Sequence, residues 1–377
     1  MSHHYLMDYQ TLIRDADVFE CNYTPETIHY RDQELRQLAG ALSPSLHGAS
    51  PINANLRGPP GTGKTTCVRR IFNELEETTR SVVPVFVDCK STNTAFRVFA
   101  VVYEQFFGQK PHLSGIPLQR LTDPIATELT ERKAILIVCL DDANYLRHNG
   151  QLDVVIRSLV RMYERYPGVK TGVVTTISDH TFCPITVLDP AVVSVWQPEE
   201  IPFSHYKREE VRAILQDRIR LGFYPGVISP AVLDRIVALT MDGGDLRVGI
   251  DLLKHSVRNA ERDARMGVME TDVSSAYETA RGAHLTILLN GLKPGQKRLL
   301  SHIVLMKTEW PNASLTARTL YDSFRKKRNI SYTTFHDWLR RLADLRLIEV
   351  HRRAAKGNAY EIELRFDPGM MEDLCGA

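Results

Sequence analysis

Short apolar runs alternate with helical stripes through residues 1–200 of this chain. Ile52, Ala54 and Leu56 recur at the two-residue period of a strand with one face buried, although Asn53 and Asn55 between them are unusually polar for a strand inside a sheet. Residues 66–77 take a helical spacing, 82–87 read as a strand, 96–107 and 123–130 as helices, and 171–177 as a further strand. Residues 134–140 (A-I-L-I-V-C-L) are apolar without a break, as expected of a central parallel strand covered on both faces. Residues 154–166 are predicted as one helix with Asp153 as its N-cap. This alternation predicts a three-layer α/β domain over 1–200, followed by a helical domain over 201–284.

From about Leu285 the pattern changes. Helices are predicted over 297–306, 316–325 and 332–345, then strands over 347–353 and 359–365. In the third helix Phe335, Trp338, Leu339 and Leu342 fall at i, i+3, i+4 and i+7 and form one buried stripe. Gly357 and Asn358 supply the tip of a hairpin, where positive φ is needed. Helix, helix, helix, hairpin is the winged-helix form of helix-turn-helix, predicted for residues 285–377.

Composition narrows the class. The chain is 43% hydrophobic and 24% charged, as an ordinary soluble protein is. Its longest apolar run, 134–140, is far too short to span a bilayer, and the polar start (His3, His4, Asp8) argues against a secretory signal. Six cysteines without a C-x-x-C pair point to buried thiols, no zinc site and a reducing cytoplasm. The net charge of +2 hides an asymmetry: residues 285–377 hold 16 Lys/Arg against 10 Asp/Glu, the rest 31 against 35. A basic end on a slightly acidic body suggests a polyanion-binding module joined to another function.

That other function is announced by Gly58-Pro59-Pro60-Gly61-Thr62-Gly63-Lys64-Thr65, which fits the phosphate-loop pattern G-x-x-x-x-G-K-[ST] with no mismatch. Glycines let the backbone aim several N–H groups at one anion, and the following helix, opening at Thr66, adds its positive end. Lys64 is expected on the β- and γ-phosphates of ATP or ADP, and Thr65 on Mg²⁺. Asp141 and Asp142 close the apolar run 134–140, where carboxylates reach the ligand crevice. Asp141 is expected to hold the Mg²⁺ shell and Asp142 to polarise a water against the γ-phosphate.

With these motifs the chain resembles the AAA+ ATPases, and within them the archaeal replication initiators of the origin recognition complex / cell division control type, over nearly its whole length. Tyr23-Thr24-Pro25-Glu26 and His29-Tyr30-Arg31-Asp32-Gln33-Glu34-Leu35 look like the family's N-terminal motif, which wraps the adenine side of the site and implicates Tyr30 and Arg31. Ile201 to Tyr206 and Val211 to Arg218 look like its approach to the lid, whose Tyr and Arg contact nucleotide; Tyr206 and Arg218 inherit those roles. Gly244-Asp245-Leu246-Arg247 looks like the second sensor, with Arg247 reporting the γ-phosphate. Other readings stay open: Tyr206 as a packed junction aromatic, Gly244-Asp245 as a turn and N-cap, Arg218 as a surface ion-pair partner.

Three departures from the family pattern matter. The usual Asp-Glu pair is Asp141-Asp142; the first-sensor Asn is replaced by Ser178; and L-D-P-R-V reads Leu188-Asp189-Pro190-Ala191-Val192, which removes the arginine offered to a neighbour's nucleotide. A carboxylate one methylene short is displaced from the attacking water, and an ångström of error costs on the order of a hundredfold in rate. A weak ATPase used as a switch is therefore expected.

Ser331, Tyr332, Thr333, Thr334 and Arg340 of the third helix are the expected contacts to double-stranded origin DNA. Arg352, Arg353 and Lys356 are expected contacts from the wing. A winged helix used for protein contacts is the alternative. The resemblance further implies a DNA contact from an insertion within 94–121, recruitment of the replicative helicase, and paralogous initiators as partners. A nucleotide-gated transcription regulator and an AAA+ motor or loader are the competing functions.

Overall fold

The computed structural model describes residues 11–20, 22–111, 117–179, 182–310, 314–328, 330–345, 347–352, 360–366, 368 and 371. They form two compact units, 1–273 and 274–377.

The first unit is built on five parallel strands, β1 (Ala54–Arg57), β2 (Val82–Asp88), β3 (Ile135–Asp141), β4 (Lys170–Ile177) and β5 (Glu199–Pro202), in the order β2-β3-β4-β1-β5. Helices α1 (Asp32–Leu42) and α2 (Lys64–Thr78) cover one face, burying Leu38, Leu42, Val68 and Phe72. The other face carries α3 (Ala95–Phe107), α4 (Gln119–Arg132), α5 (Gln151–Val160), α6 (Met162–Arg165) and α7 (Pro190–Trp196) over Val98, Phe99, Ile125, Ile156 and Trp196. With both faces covered, every residue of β3 is buried, which is why its sequence reads as one apolar run. Each such Leu or Phe contributes about 1.5–3 kcal/mol by leaving water. The three-layer α/β architecture is the one the pattern predicted. Cys67, Cys89 and Cys139 are buried within it, and burial pushes the Cys67 thiol up to about 12.

Two local expectations are corrected. Ile52 lies outside β1 and is half exposed. The helix expected over 154–166 starts earlier, at Gln151 after Gly150, and breaks at Arg161. Asp153 is not its cap. It sits in the first turn, where its carboxylate meets Arg157 at 2.8 Å and accepts the Asp189 N–H at 2.8 Å. A negative charge is favoured there by the helix dipole without being the cap.

The polar residues at the start of β1 and just before it are explained by their partners. Asn53 donates to the Trp196 carbonyl and accepts the Val173 N–H at 2.8 Å. Asn55 donates to Glu200 at 2.8 Å and accepts the Thr175 hydroxyl at 2.7 Å. Both amides tie the start of β1 to its neighbours, Asn53 from just before the strand and Asn55 from within it.

Three helices follow β5: α8 (Arg208–Gly222), α9 (Pro230–Gly243) and α10 (Leu246–Arg262). The N-terminal segment is fastened to them. Arg14 N–H donates to Gly222 carbonyl at 2.8 Å, and the rings of Phe19 and Phe223 stack with centroids 4.3 Å apart.

Helix α11 (Glu270–Asn290) runs through the pattern change expected at residue 285. The second unit then holds α12 (Pro294–Glu309), α13 (Ala317–Lys327), α14 (Tyr332–Asp344) and an antiparallel pair, β6 (Ile348–Arg352) with β7 (Tyr360–Leu364). Leu299, Ile303, Leu320, Phe335, Leu342 and Ile362 make its core. Phe335, Leu339 and Leu342 are buried as the stripe requires, while Trp338 is half buried over Gly295. The basic run Arg325 to Arg328 forms the last turn and C-cap of α13.

Asn55 generates a stability prediction. Asn55→Ala leaves the buried Thr175 hydroxyl with only the Ala54 carbonyl at 3.5 Å and returns the exposed Glu200 carboxylate to water, so stability falls by about 0.5–1.5 kcal/mol, read as a lower urea midpoint. An unchanged midpoint contradicts the cross-link's importance.

Candidate functional site

The loop between β1 and α2 takes its shape from two backbone conformations. Gly61 and Gly63 have φ of +71° and +92°. A Cβ at Gly61 would come within 1.9 Å of the Asp245 carboxylate, and one at Gly63 within 2.8 Å of the Tyr206 hydroxyl. Left-handed backbone and close approach together demand glycine at both. Thr62 closes the turn by donating to the Pro59 carbonyl at 2.8 Å.

Lys64 opens α2 and is buried. Its ammonium turns back onto the loop, donating to the carbonyls of Gly58 and Pro59 at 2.7 Å each. Burial pulls its pKa down to about 8, against the opposing pull of Asp142 and Asp141. Thr65 donates to both oxygens of Asp141, at 3.0 and 3.1 Å. The hydroxyl of Thr176, at the end of β4, donates to Asp141 Oδ1 at 2.6 Å and accepts the Asp142 N–H at 2.8 Å. Burial raises the Asp141 pKa, while these hydroxyls oppose the rise. A hydroxyl and a carboxylate side by side, beside a loop of backbone N–H groups, form a hard oxygen donor set of the kind Mg²⁺ takes together with a phosphate. The residues present therefore fit the nucleotide and the metal.

Asp142 sits in left-handed backbone at φ +52°, with its carboxylate 2.8 Å from Lys90 Nζ. Lys90 follows β2 and also lies 5.8 Å from the centroid of the Tyr145 ring. Ser178 comes directly after β4 and lines the same cleft.

The cleft measures about 370 Å³. Gly61, Thr62, Gly63, Lys64, Thr65, Thr66, Asp141, Asp142, Ser178, Tyr206, Arg218 and Arg247 all line it, so most of the expected site residues converge. Its far wall is the N-terminal segment, including Tyr23 and Ile28, facing Ile214 of α8. Gly58, Pro59 and Pro60 shape the loop but do not line the cleft.

Tyr30 and Arg31 depart from expectation. Neither lines the cleft. Arg31 is buried and donates to the Thr62 carbonyl at 2.9 Å and the Ser204 carbonyl at 2.7 Å, with Glu34 at 3.1 Å. Its guanidinium lies 4.0 Å from the Tyr206 ring centroid. Every direction of the group is used internally, so it supports the loop instead of meeting a ligand. Tyr206 is buried, with its hydroxyl pushed up to about 12. Arg218 donates to the Val18 carbonyl at 3.0 Å and lies 4.3 Å from the Tyr23 ring centroid, holding the far wall. Asp245 caps α10, and its carboxylate also accepts from Arg247 Nε at 3.1 Å.

Thr176 and Lys90 went unnoticed in the sequence. Two threonines ending an otherwise apolar strand, and a lysine two residues beyond the strand paired with the acidic one, are the signals that mark them.

In the second unit Ser331 caps α14, accepting the Thr334 N–H at 3.1 Å. Its hydroxyl lies 2.8 Å from that of Thr334, so these two groups serve the helix end. Tyr332, Thr333 and Arg340 are exposed. Arg352 belongs to β6, and its side chain, with Arg353 and Lys356, lies outside the described residues. Residues 112–116 of the proposed insertion also lie outside them, and α3 fills much of the rest.

Comparison with known proteins now adds to this geometry. Residues 27–169 match the AAA ATPase domain, and residues 212–278 the Cdc6 AAA+ ATPase-type lid domain. The ORC1-type DNA replication protein 2 of Methanosarcina mazei is 40% identical over 342 residues, covering 90% of this chain and 89% of that protein. The chain belongs to the ORC1-type DNA replication proteins. Its fold is also that of two solved structures. The Aeropyrum pernix ORC1 protein in complex with DNA aligns with a TM-score of 0.75 at 24% identity, covering 96% of each chain. The Aeropyrum pernix ORC2 protein, in its ADPNP–ADP complexes, aligns at 0.73 and 21%, covering 97% of each. The first unit is thus an AAA+ core with its helical lid, and the family supports nucleotide binding at this cleft.

Lys64 makes that binding depend on pH. Its pKa is depressed in the free protein, so the ammonium is lost as pH rises through about 8. A bound polyphosphate needs the charged form and restores the proton. ATP affinity is therefore expected to be flat below about pH 7 and to fall about tenfold per pH unit above about 8, measured by calorimetry. A flat profile to pH 9.5, about one unit below a free lysine's pKa, contradicts the depressed value.

Proposed function

We propose that this ORC1-type chain is a nucleotide-switched initiator of DNA replication that binds double-stranded origin DNA and helps recruit the replicative helicase. The observation that carries the reading is the Thr65–Asp141–Thr176 hydrogen-bond cluster beside an intact phosphate loop, in a chain 40% identical to an ORC1-type DNA replication protein. ATP or ADP would lie in the cleft with its phosphates on the N–H groups of Gly61 to Thr65 and on Lys64, and Mg²⁺ would be held by Thr65 and Asp141. The metal would supply charge neutralisation at the phosphates. Arg247 and Ser178 are assigned to sensing the γ-phosphate, Tyr206 and Arg218 to the lid side of the nucleotide.

Asp142 is the general base of this assignment, and it is engaged by Lys90. A carboxylate held by Lys90 must release that partner before it can engage a water, which supports slow or single-turnover hydrolysis over a fast motor. Ala191 leaves no arginine to offer a neighbour at that position, which also disfavours the ring-forming loader.

The second unit we assign as the winged-helix reader of DNA, over 285–377, behind the core (1–200) and lid (201–284). Three helices and an antiparallel pair, with exposed Thr333 and Arg340 on α14 and the basic end of α13, support this. A transcription regulator gated by nucleotide would share all these parts. The family favours the initiator, and mapping the DNA-binding sites would separate the two.

Three experiments test the proposal. Lys64→Ala should abolish ATP binding and the thermal stabilisation that ATP gives. Steady-state ATP turnover of the wild type on DNA should stay far below about ten per second, and a value in that range sinks the switch assignment. For the reader, Arg340→Ala should weaken binding to specific and random duplexes alike and lower the log–log salt slope by about one, whereas Thr333→Ala should change preference at particular bases. Competition binding in which both variants behave identically contradicts the assignment.

A further inference from the structure

Helix α10 runs from one end of the nucleotide cleft to the other. Its start abuts the phosphate loop, since a Cβ on Gly61 would meet the Asp245 carboxylate and lie 3.0 Å from the Leu246 N–H. Two turns on, Lys254 meets Glu20 of the N-terminal segment, the wall opposite the phosphates, at 2.5 Å. Asp251 lies between these anchors, one turn after Arg247 and about 6 Å further along the helix. Arg247, Ile250 and Asp251 all line the cleft.

Asp251 is unlike the other carboxylates there. Asp141 accepts from Thr65 and Thr176, Asp142 pairs with Lys90, Asp217 pairs with Arg220 and His29, and Glu20 pairs with Lys254. Among the described residues Asp251 has no hydrogen bond and no ion pair, and it stands exposed on the cleft wall. Partial burial raises its pKa, against the milder pull of His255 and Lys254. A carboxylate on the cleft wall that no protein donor engages is open to accept from a bound ligand.

We propose that Asp251 accepts a hydrogen bond from a ribose hydroxyl of the bound nucleotide and makes the site selective for ribonucleotides over deoxyribonucleotides. The assignment rests on the nucleotide reading of the cleft and deepens it. Position along α10 selects the sugar: phosphates belong at the Gly61 end, the base at the Tyr23 and Ile28 end, and the ribose joins them. Chemistry agrees, because a vicinal diol offers donors and no charge, and a carboxylate only accepts. The base's exocyclic amine would need Asp251 to stand at the far wall, where Glu20 and Lys254 already pair.

The test compares ATP, 2′-deoxy-ATP and 3′-deoxy-ATP by calorimetry on the wild type, Asp251→Asn, Asp251→Ala and Lys64→Ala. The wild type should bind ATP about ten- to a hundredfold more tightly than at least one deoxynucleotide, the range of a hydrogen bond to a charged group. Asp251→Ala should bind all three within about threefold of one another, a spread well inside the tenfold step of 1.4 kcal/mol. Asp251→Asn, which keeps the shape and one acceptor oxygen, should fall between. Equal affinity of the wild type for all three, or an unchanged preference in Asp251→Ala, overturns the assignment while leaving the nucleotide site intact. Failure of the wild type to bind ATP, or tight binding by Lys64→Ala, overturns the nucleotide reading itself. The wild-type comparison decides the matter even if Asp251→Ala does not fold.

Discussion

One buried guanidinium holds the nucleotide cleft together. Arg31 ties the start of α1 to the Thr62 carbonyl inside the phosphate loop and to the Ser204 carbonyl where the chain leaves β5 for the lid. Burying an arginine is unfavourable unless its donors are used. Here Glu34 balances the charge, the backbone carbonyls take the N–H groups, and the Tyr206 face covers the plane. Tyr206 in turn stands against Gly63, so the loop's left-handed turn is held from behind. Removing the guanidinium would strand Glu34 and two carbonyls together. The loop, the core–lid junction and the N-terminal segment are therefore one cooperative unit.

The carboxylate end of the site depends on strand register. Pairing of β3 with β4 sets Leu140 opposite Thr175, which brings Thr176 level with Asp141. Pairing of β2 with β3 sets Asp88 opposite Asp141 and carries Lys90 to Asp142. A slip of one residue would send every one of these side chains to the other face. Such a slip is prevented by the apolar cores on both sides of the sheet, so the same burial that stabilises the domain also aligns its chemistry.

Legibility in the sequence follows from this division. Gly61, Gly63, Lys64 and Thr65 are local: their spacing alone specifies the loop, and α2 follows as expected. β3 was legible because burial on both faces leaves only apolar residues. Asn53 and Asn55 looked like a weakness in β1, because their partners Trp196, Val173, Thr175 and Glu200 are distant in sequence. Thr176 and Lys90 were hidden for the same reason. Arg31 was noticed for its motif, but which of two surfaces its guanidinium faces is decided by packing on Tyr206, which no spacing encodes. Membership of the ORC1-type family was legible because several such motifs stand in one order along most of the chain.

The departures at Asp142 and Ser178 acquire a common sense in this geometry. Asp142 is held in a left-handed conformation that costs a non-glycine residue about 1–2 kcal/mol, compensated by the Thr176 hydroxyl on its N–H and by Lys90 on its carboxylate. Lys90 and Lys64 both line the cleft near the phosphate loop. A polyanion bound there would compete with Asp142 for Lys90, so on the proposed assignment occupancy of the site and freedom of the base are coupled through one ammonium. In a fast ATPase that coupling would be a handicap, since the base must be released in each cycle. In an initiator whose nucleotide reports a state, a base that is engaged until ligand draws its partner away favours long-lived states over turnover. On that assignment the shorter Asp142, Ser178 in place of an Asn and Ala191 in place of an arginine all move the balance the same way.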